Sequence, residues 1–280
     1  MNERQPLKRG RTALCLLFLV VCGAIAGTPR DTVMDFSRFY GGLRGCFVLH
    51  ETWSGRTIRY NPQLCSTPLS PASTFKIPNS LIGLETGVIP DQHYVIRWDS
   101  LPKRMKSWNR DHDLSSAIAN SVVWYYQELA RRVGPARMQH WLDTLGYGNR
   151  DISGGIDRFW LGSSILISPN QQCEFLLRLR NETIPFSKRT ISIVKEILVL
   201  DKGPDWTLRG KTGFTDFDST KDVGWFVGWV ERPEGAVIFV NCVRSDDRAK
   251  DEDRMFEQRK PIALAILKAL GYIGNPTGRP

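Results

Sequence analysis

A chain of 280 residues, 41% of them hydrophobic, can bury a large core in one two-lobed domain or in two small ones. Its formal charge of +9 comes from scattered basic residues with no aromatic-interleaved stripe, so nucleic acid is not an implied partner. His50, His93, His112 and His140 never fall at H-x-H or H-E-x-x-H spacing and no C-x-x-C pair exists, so a zinc hydrolase has no visible ligand set and no metal is expected.

The first predicted element is a leader. Arg4, Lys8, Arg9 and Arg11 precede the apolar run Ala13 to Ala26, which ends in Ala24-Ile25-Ala26. A charged region, an apolar region and an A-x-A site predict a secretory signal peptide over residues 1–26, leaving 27–280 as one two-lobed domain exported to the periplasm. An uncleaved anchor is the alternative. Cys22 suggests a lipidated form, but Val21 before it is bulkier than such sites accept. No later segment approaches a membrane span, so no membrane contact is expected once the signal is gone. Loss of Arg4, Lys8, Arg9, Arg11 and Glu3 lowers the charge from +9 to +6. A mildly basic exported protein suits an anionic ligand such as a carboxylate.

Cys46 to His50 and Thr57 to Tyr60 read as strands joined by a turn at Trp53-Ser54-Gly55-Arg56. The mature chain keeps Cys46, Cys65, Cys173 and Cys242. That turn would bring Cys46 and Cys65 together on antiparallel strands in an oxidising compartment, either as a disulfide or as two packed thiols. Ser73-Thr74-Phe75-Lys76 then opens a helix with an apolar stripe of Ile77, Leu81, Ile82 and Leu84, stopped at Gly87. Pro78 falls in its first turn, where a missing N–H does little harm.

The middle of the chain reads as helical. Val122 to Val133 stops at Gly134, and Pro135 starts a helix to Leu145, stopped at Gly146. Ser168-Pro169-Asn170-Gln171 combines a capping serine, a first-turn proline and a capping-box glutamine, and opens a helix to about Arg180. Thr190 to Leu200 and Pro261 to Leu270 are further helices, while the mixed-sign stretch Arg244 to Arg254 reads as a solvated loop. Strands at Thr207 to Lys211, Gly224 to Glu231 and Ala236 to Val243 close the chain, the last two joined by the turn Arg232-Pro233-Glu234-Gly235. The pattern predicts an α+β fold: an antiparallel sheet built from both chain ends, flanked by helices, with an inserted helical lobe. A cleft is expected where lobe meets sheet.

Serine and lysine three apart at a helix start share one face, one turn apart. The helix N-terminus supplies backbone donors to Ser73 and drives Lys76 toward neutrality, which yields a nucleophile and base without histidine. Lys211-Thr212-Gly213 far downstream completes the S-x-x-K and K-T-G pair of penicillin-recognising serine acyl-transfer enzymes. Ser100-Leu101-Pro102-Lys103 has the same spelling, but Pro102 and the lack of a following apolar run exclude it. Ser121-Val122-Val123 lies between helical stretches and offers a second serine able to relay a proton. Ser192-Ile193-Val194 shares that spelling inside an amphipathic helix, so order and spacing favour Ser121.

Pro71 to Asn79, Gly83-Leu84-Glu85-Thr86-Gly87, Tyr147-Gly148-Asn149 and Ile152-Ser153-Gly154-Gly155-Ile156-Asp157 together resemble the class D, oxacillinase-type serine β-lactamases. Phe159-Trp160-Leu161, Lys211-Thr212-Gly213-Phe214 and Gly228-Trp229-Val230-Glu231 extend the resemblance over residues 44–273. It implies a small-molecule β-lactam substrate, Ser73 as nucleophile, and no cofactor beyond a carbamate on Lys76 derived from carbon dioxide. Phe75, Val123 and Trp160 would desolvate Lys76, with the Trp160 indole N–H donating to the carbamate. Backbone N–H groups of Ser73 and Phe214 would form the oxyanion hole. Lys211 and Thr212 would bind the substrate carboxylate or assist Ser121, Arg259 would grip the carboxylate, with Lys260 or Arg244 as substitutes for it, and Gly213 would allow close approach. The charged stretch Thr215 to Gly224 and the pair Arg150-Asp151 depart from the family pattern. A penicillin-binding transpeptidase or a β-lactam-sensing receptor domain, which acylate without rapid turnover, are the competing readings.

Overall fold

The computed structural model describes residues 1–2, 31–162, 164–215, 222–245 and 248–274. The expected signal peptide lies outside them, apart from Met1 and Asn2.

In chain order the elements are β1 (Asp31–Val33), α1 (Ser37–Tyr40), β2 (Arg44–Glu51), β3 (Thr57–Tyr60) and α2 (Pro62–Cys65). A 3-10 turn, Ala72–Phe75, runs into α3 (Lys76–Glu85). Then come α4 (Leu114–Ala119), α5 (Val123–Val133), α6 (Pro135–Leu145), α7 (Pro169–Arg180) and α8 (Lys188–Ile197). The chain closes with β4 (Val199–Lys202), β5 (Thr207–Phe214), β6 (Val223–Arg232), β7 (Gly235–Arg244) and α9 (Arg248–Ala269).

The seven strands form one sheet in the order β1-β3-β2-β7-β6-β5-β4, so β2 beside β7 joins the two chain ends as expected. The sheet is antiparallel except at one edge, where β1 pairs with β3 in parallel. β7 has period-2 alternation with both faces apolar. Ala236, Ile238, Val240 and Cys242 join the core shared with the helical lobe, while Val237, Phe239 and Val243 join the core under α1 and α9. Burying each large apolar side chain contributes about 1.5–3 kcal/mol, so a strand buried on both faces anchors both layers.

Local signals act where the sequence places them. Ser168 Oγ accepts from Gln171 N at 3.2 Å and Gln171 Oε1 accepts from Ser168 N at 2.9 Å, the reciprocal cap that starts α7. Gly134 and Gly146 adopt φ of 80° and 68° at the ends of α5 and α6. Three expectations need correction. Residues Val199 and Leu200 belong to β4, because α8 starts two residues earlier than expected, at Lys188, and ends at Ile197. The charged run from Arg248 is helical, and Pro261 lies inside α9 rather than at its start. The carbonyl that Pro261 deprives of a partner is that of Glu257, an exposed residue, where water can replace the missing donor. Finally, Cys46 and Cys65 do come together, as the packed, free thiols of the second alternative, but Cys65 reaches Cys46 from a helix rather than from a paired strand. Cys65 lies on α2 and donates to the Tyr60 carbonyl at 3.3 Å, while the cross-strand neighbour of Cys46 is Cys242.

Among the described residues no helix is long and apolar enough to cross a membrane.

Candidate active site

Three elements converge where the lobe meets the sheet: the 3-10 turn before α3, the α4–α5 junction and β5. Ser73 lies within the turn, one step ahead of the α-helix that its sequence was expected to open. The turn is constrained from both sides. Ala72 has φ of 47°, a left-handed conformation costly for a residue with Cβ. Thr74 Oγ1 donates to the Pro71 carbonyl at 2.7 Å and accepts from Gln172 Nε2 of α7 at 2.7 Å. On the sheet side, a Cβ at Gly213 would come within 3.1 Å of the Pro71 carbonyl oxygen and of Thr74 Cγ2, so any larger residue would push β5 and the turn apart by a few tenths of an ångström.

Lys76, the first residue of α3, is fully buried, and its Nζ donates to Ser73 Oγ at 2.8 Å. Burial, followed by the nearby charge of Lys211, drives its pKa well below the ordinary lysine value. Tyr126 of α5 lies beneath it, its ring centroid 5.4 Å from Nζ. Phe75 stacks on Trp160 at 5.5 Å with a 19° interplanar angle, and Phe159 meets both rings edge-on. Trp160 is buried, and among the described residues its Nε1 has no hydrogen-bond partner. An unsatisfied indole N–H stacked on Phe75, the residue before Lys76, fits a small acceptor group on Lys76.

The second serine–lysine pair faces the first. Ser121 Oγ accepts from Lys211 Nζ at 3.0 Å, and Ser121 itself has φ of 54°. That strained junction is braced by Trp108, whose Nε1 donates to the Asn120 carbonyl at 3.0 Å, and by Trp124, which donates to the Trp108 carbonyl at 2.9 Å. Burial first, then Arg259, lowers the Lys211 pKa to about 7. Val123 starts α5 and is half-buried. Thr212 presents its carbonyl to Lys211 Nζ at 3.0 Å, and Phe214 ends β5 edge-on to Phe256 at 5.3 Å.

Arg259 of α9 belongs to this cluster through its effect on Lys211. Burial lowers its own pKa to about 10, and among the described residues its Nε has no hydrogen-bond partner. Lys260 instead lies 5.8 Å from the Phe226 ring, and Arg244 ends β7. Of the substitutes expected from sequence, neither shares the coupling to Lys211. Sequence reasoning missed Tyr126, Trp108, Phe256 and Gln172, which come from four separate elements and carry no spacing signal relative to Ser73.

A buried amine with a strongly lowered pKa, 2.8 Å from a hydroxyl, can take its proton when deprotonated, and a second hydroxyl held by a lysine titrating near neutrality can pass one on. Among the described residues no group of three or more His, Cys, Asp or Glu is placed to hold a metal. A cavity of about 280 Å³ lined by His50, Arg59, Asn170 and Glu174, among others, contains none of these groups, so chemistry rather than concavity marks the site.

Residues 24–268 match the family of penicillin binding protein transpeptidase domains. The probable β-lactamase YbxI of Bacillus subtilis is 44% identical over 231 residues, 82% of each chain. β-Lactamase OXA-10 of Pseudomonas aeruginosa is 42% identical over 255 residues, covering 90% of this chain and 94% of that protein. A crystal structure of a class D β-lactamase from Bacillus subtilis superposes with a TM-score of 0.80 at 41% identity, covering 86% of this chain and 98% of the other. With two serine–lysine pairs assembled on that shared fold, the chain belongs to the class D serine β-lactamase family of hydrolases.

Proposed function

We propose that the mature protein, exported by its N-terminal leader, hydrolyses the amide of penicillin-type β-lactams through an acyl-enzyme on Ser73 and so gives antibiotic resistance. The observation that carries the reading is the buried Lys76 amine at 2.8 Å from Ser73 Oγ, facing the Ser121–Lys211 pair.

The substrate carboxylate binds between Arg259, Lys211 and Thr212, which aims the lactam carbonyl at Ser73. Burial disfavours the Lys76 ammonium and leaves an amine open to carbon dioxide, and the hydroxyl proton leaves Ser73 Oγ toward the Lys76 position as Ser73 attacks. Backbone N–H groups of Ser73 and Phe214 hold the developing oxyanion. Ser121 gives its proton to the departing nitrogen and is reprotonated through Lys211, whose pKa near 7 suits two-way transfer. Phe75, Val123 and Trp160 keep bulk water from Lys76. Carbon dioxide added to the Lys76 amine would supply an anionic base for both acylation and deacylation, and the unpartnered Trp160 indole N–H is the group that would hold it.

Turnover of a penicillin in degassed buffer, with and without added bicarbonate, tests this reading. Activity that falls on degassing and at acid pH and returns with bicarbonate supports it. Many turnovers without any bicarbonate response would remove the carbamate while keeping the hydrolase.

A further inference from the structure

Among the described residues Arg259 forms no ion pair, yet it is held in the cleft wall by three separate features. The β7 side chains facing α9 are apolar at Val237, Phe239 and Val243, and the exception is Asn241. Asn241 is fully buried; its Oδ1 accepts from Tyr40 OH at 2.6 Å and its Nδ2 donates to the Arg259 carbonyl at 2.7 Å. A buried polar pair is costly unless satisfied, and this one is satisfied by ending on the backbone of Arg259. At Gly224 of β6, a Cβ would come 3.2 Å from the Met255 carbonyl and 3.3 Å from Arg259 Cβ. The missing side chain lets α9 settle beside Phe214, the cross-strand partner of Gly224. Finally, the Arg259 guanidinium carbon lies 3.9 Å over the Phe256 ring and 5.9 Å from Phe214. Phe256 is 45% exposed, so burial in the core does not account for its place there.

We propose that Tyr40, Asn241, Gly224 and Phe256 are positioning residues that present Arg259 to the cleft as a fixed receptor for the substrate carboxylate. The inference rests on the role given to Arg259 above. Stacking one face of a guanidinium on an aromatic ring leaves its in-plane N–H edge for two parallel bonds to a carboxylate. A head group already held in place loses less freedom when ligand binds.

The test compares KM and kcat for a penicillin and for its methyl ester. The variants are Phe256→Leu, Tyr40→Phe and Asn241→Leu, each made beside native Arg259 and in an Arg259→Ala background. Phe256 is exposed and Tyr40→Phe deletes one hydroxyl, so these two proteins fold even if Asn241→Leu does not. Loss of the aromatic face or of the hydroxyl raises KM for the penicillin about two- to tenfold with kcat little changed. KM for the ester stays put, and the effect disappears once Arg259 is alanine. An equal KM rise with acid and ester, or an effect that persists in the Arg259→Ala background, overturns the inference. No effect of the three variants beside a large effect of Arg259→Ala also overturns it. If Arg259→Ala itself leaves KM for the penicillin unchanged, the carboxylate role of Arg259 fails and takes the inference with it.

Discussion

Lys211→Met should make the protein more stable at neutral pH while crippling it as a catalyst. The Lys211 pKa falls from 10.5 to about 7 on folding, because burial disfavours the ammonium and Arg259 repels it. A lysine depressed in this way binds fewer protons folded than unfolded between those two values, so stability rises with pH across that window and is lost as pH falls through about 7. At pH 7 the shift corresponds to roughly 4 kcal/mol of opposition to folding, and at pH 10 to about 1 kcal/mol. Methionine removes that opposition but also removes two hydrogen bonds, to Ser121 Oγ and the Thr212 carbonyl, at about 0.5–1.5 kcal/mol each. The desolvation effect wins at pH 7, leaving the variant about 1–3 kcal/mol more stable, and loses at pH 10, where the variant is equal or slightly weaker. Urea denaturation of both proteins at pH 7 and pH 10 reads the difference directly. A variant destabilised at pH 7, or a difference that does not change between the two pH values, would refute a buried, near-neutral Lys211.

Trp160→Phe should change folding stability by no more than about 1–2 kcal/mol, since lost packing is offset by removal of an unsatisfied buried donor. Turnover should nevertheless drop by about tenfold or more, with a raised bicarbonate requirement, and unchanged kinetics would dissociate the indole N–H from catalysis. Gly213→Ala places a methyl 3.1 Å from the Pro71 carbonyl and should slow acylation of Ser73, measured by stopped-flow, more than it lowers the thermal midpoint. Cys46, Cys65, Cys173 and Cys242 should all label with a thiol reagent in unreduced, denatured protein; recovery of a Cys46–Cys65 cystine peptide would contradict the free thiols.

The chemistry was more legible than the architecture around it. Ser73 and Lys76 are one helical turn apart, so local geometry places them together before any tertiary contact is known. The Ser168–Gln171 cap and the two strand-joining turns are equally local. What escaped depends on contacts across the fold. β4 hides inside an apparently continuous helical run because its exposed residues carry no alternating pattern. α9 hides because a charged surface helix interrupted by Pro261 reads as a loop followed by a new start. Arg259 could be named by resemblance, but Phe256, three residues earlier on the same helix, gains its meaning from standing between Arg259 and Phe214 of a distant strand. Tyr126 and Trp108 likewise reach the site only after α5 and the segment before α4 are folded against it.

A serine β-lactamase of this kind forms an acyl intermediate on Ser73 and then releases it. Mass spectrometry of the protein mixed with excess penicillin, sampled through exhaustion of substrate, follows both the formation and the release of the adduct. The adduct should map to the peptide containing Ser73, be absent in Ser73→Ala, and vanish once many equivalents have been hydrolysed, leaving unmodified protein. An adduct on Ser121 or Ser100, or a stoichiometric Ser73 adduct that persists after substrate is gone, would contradict it.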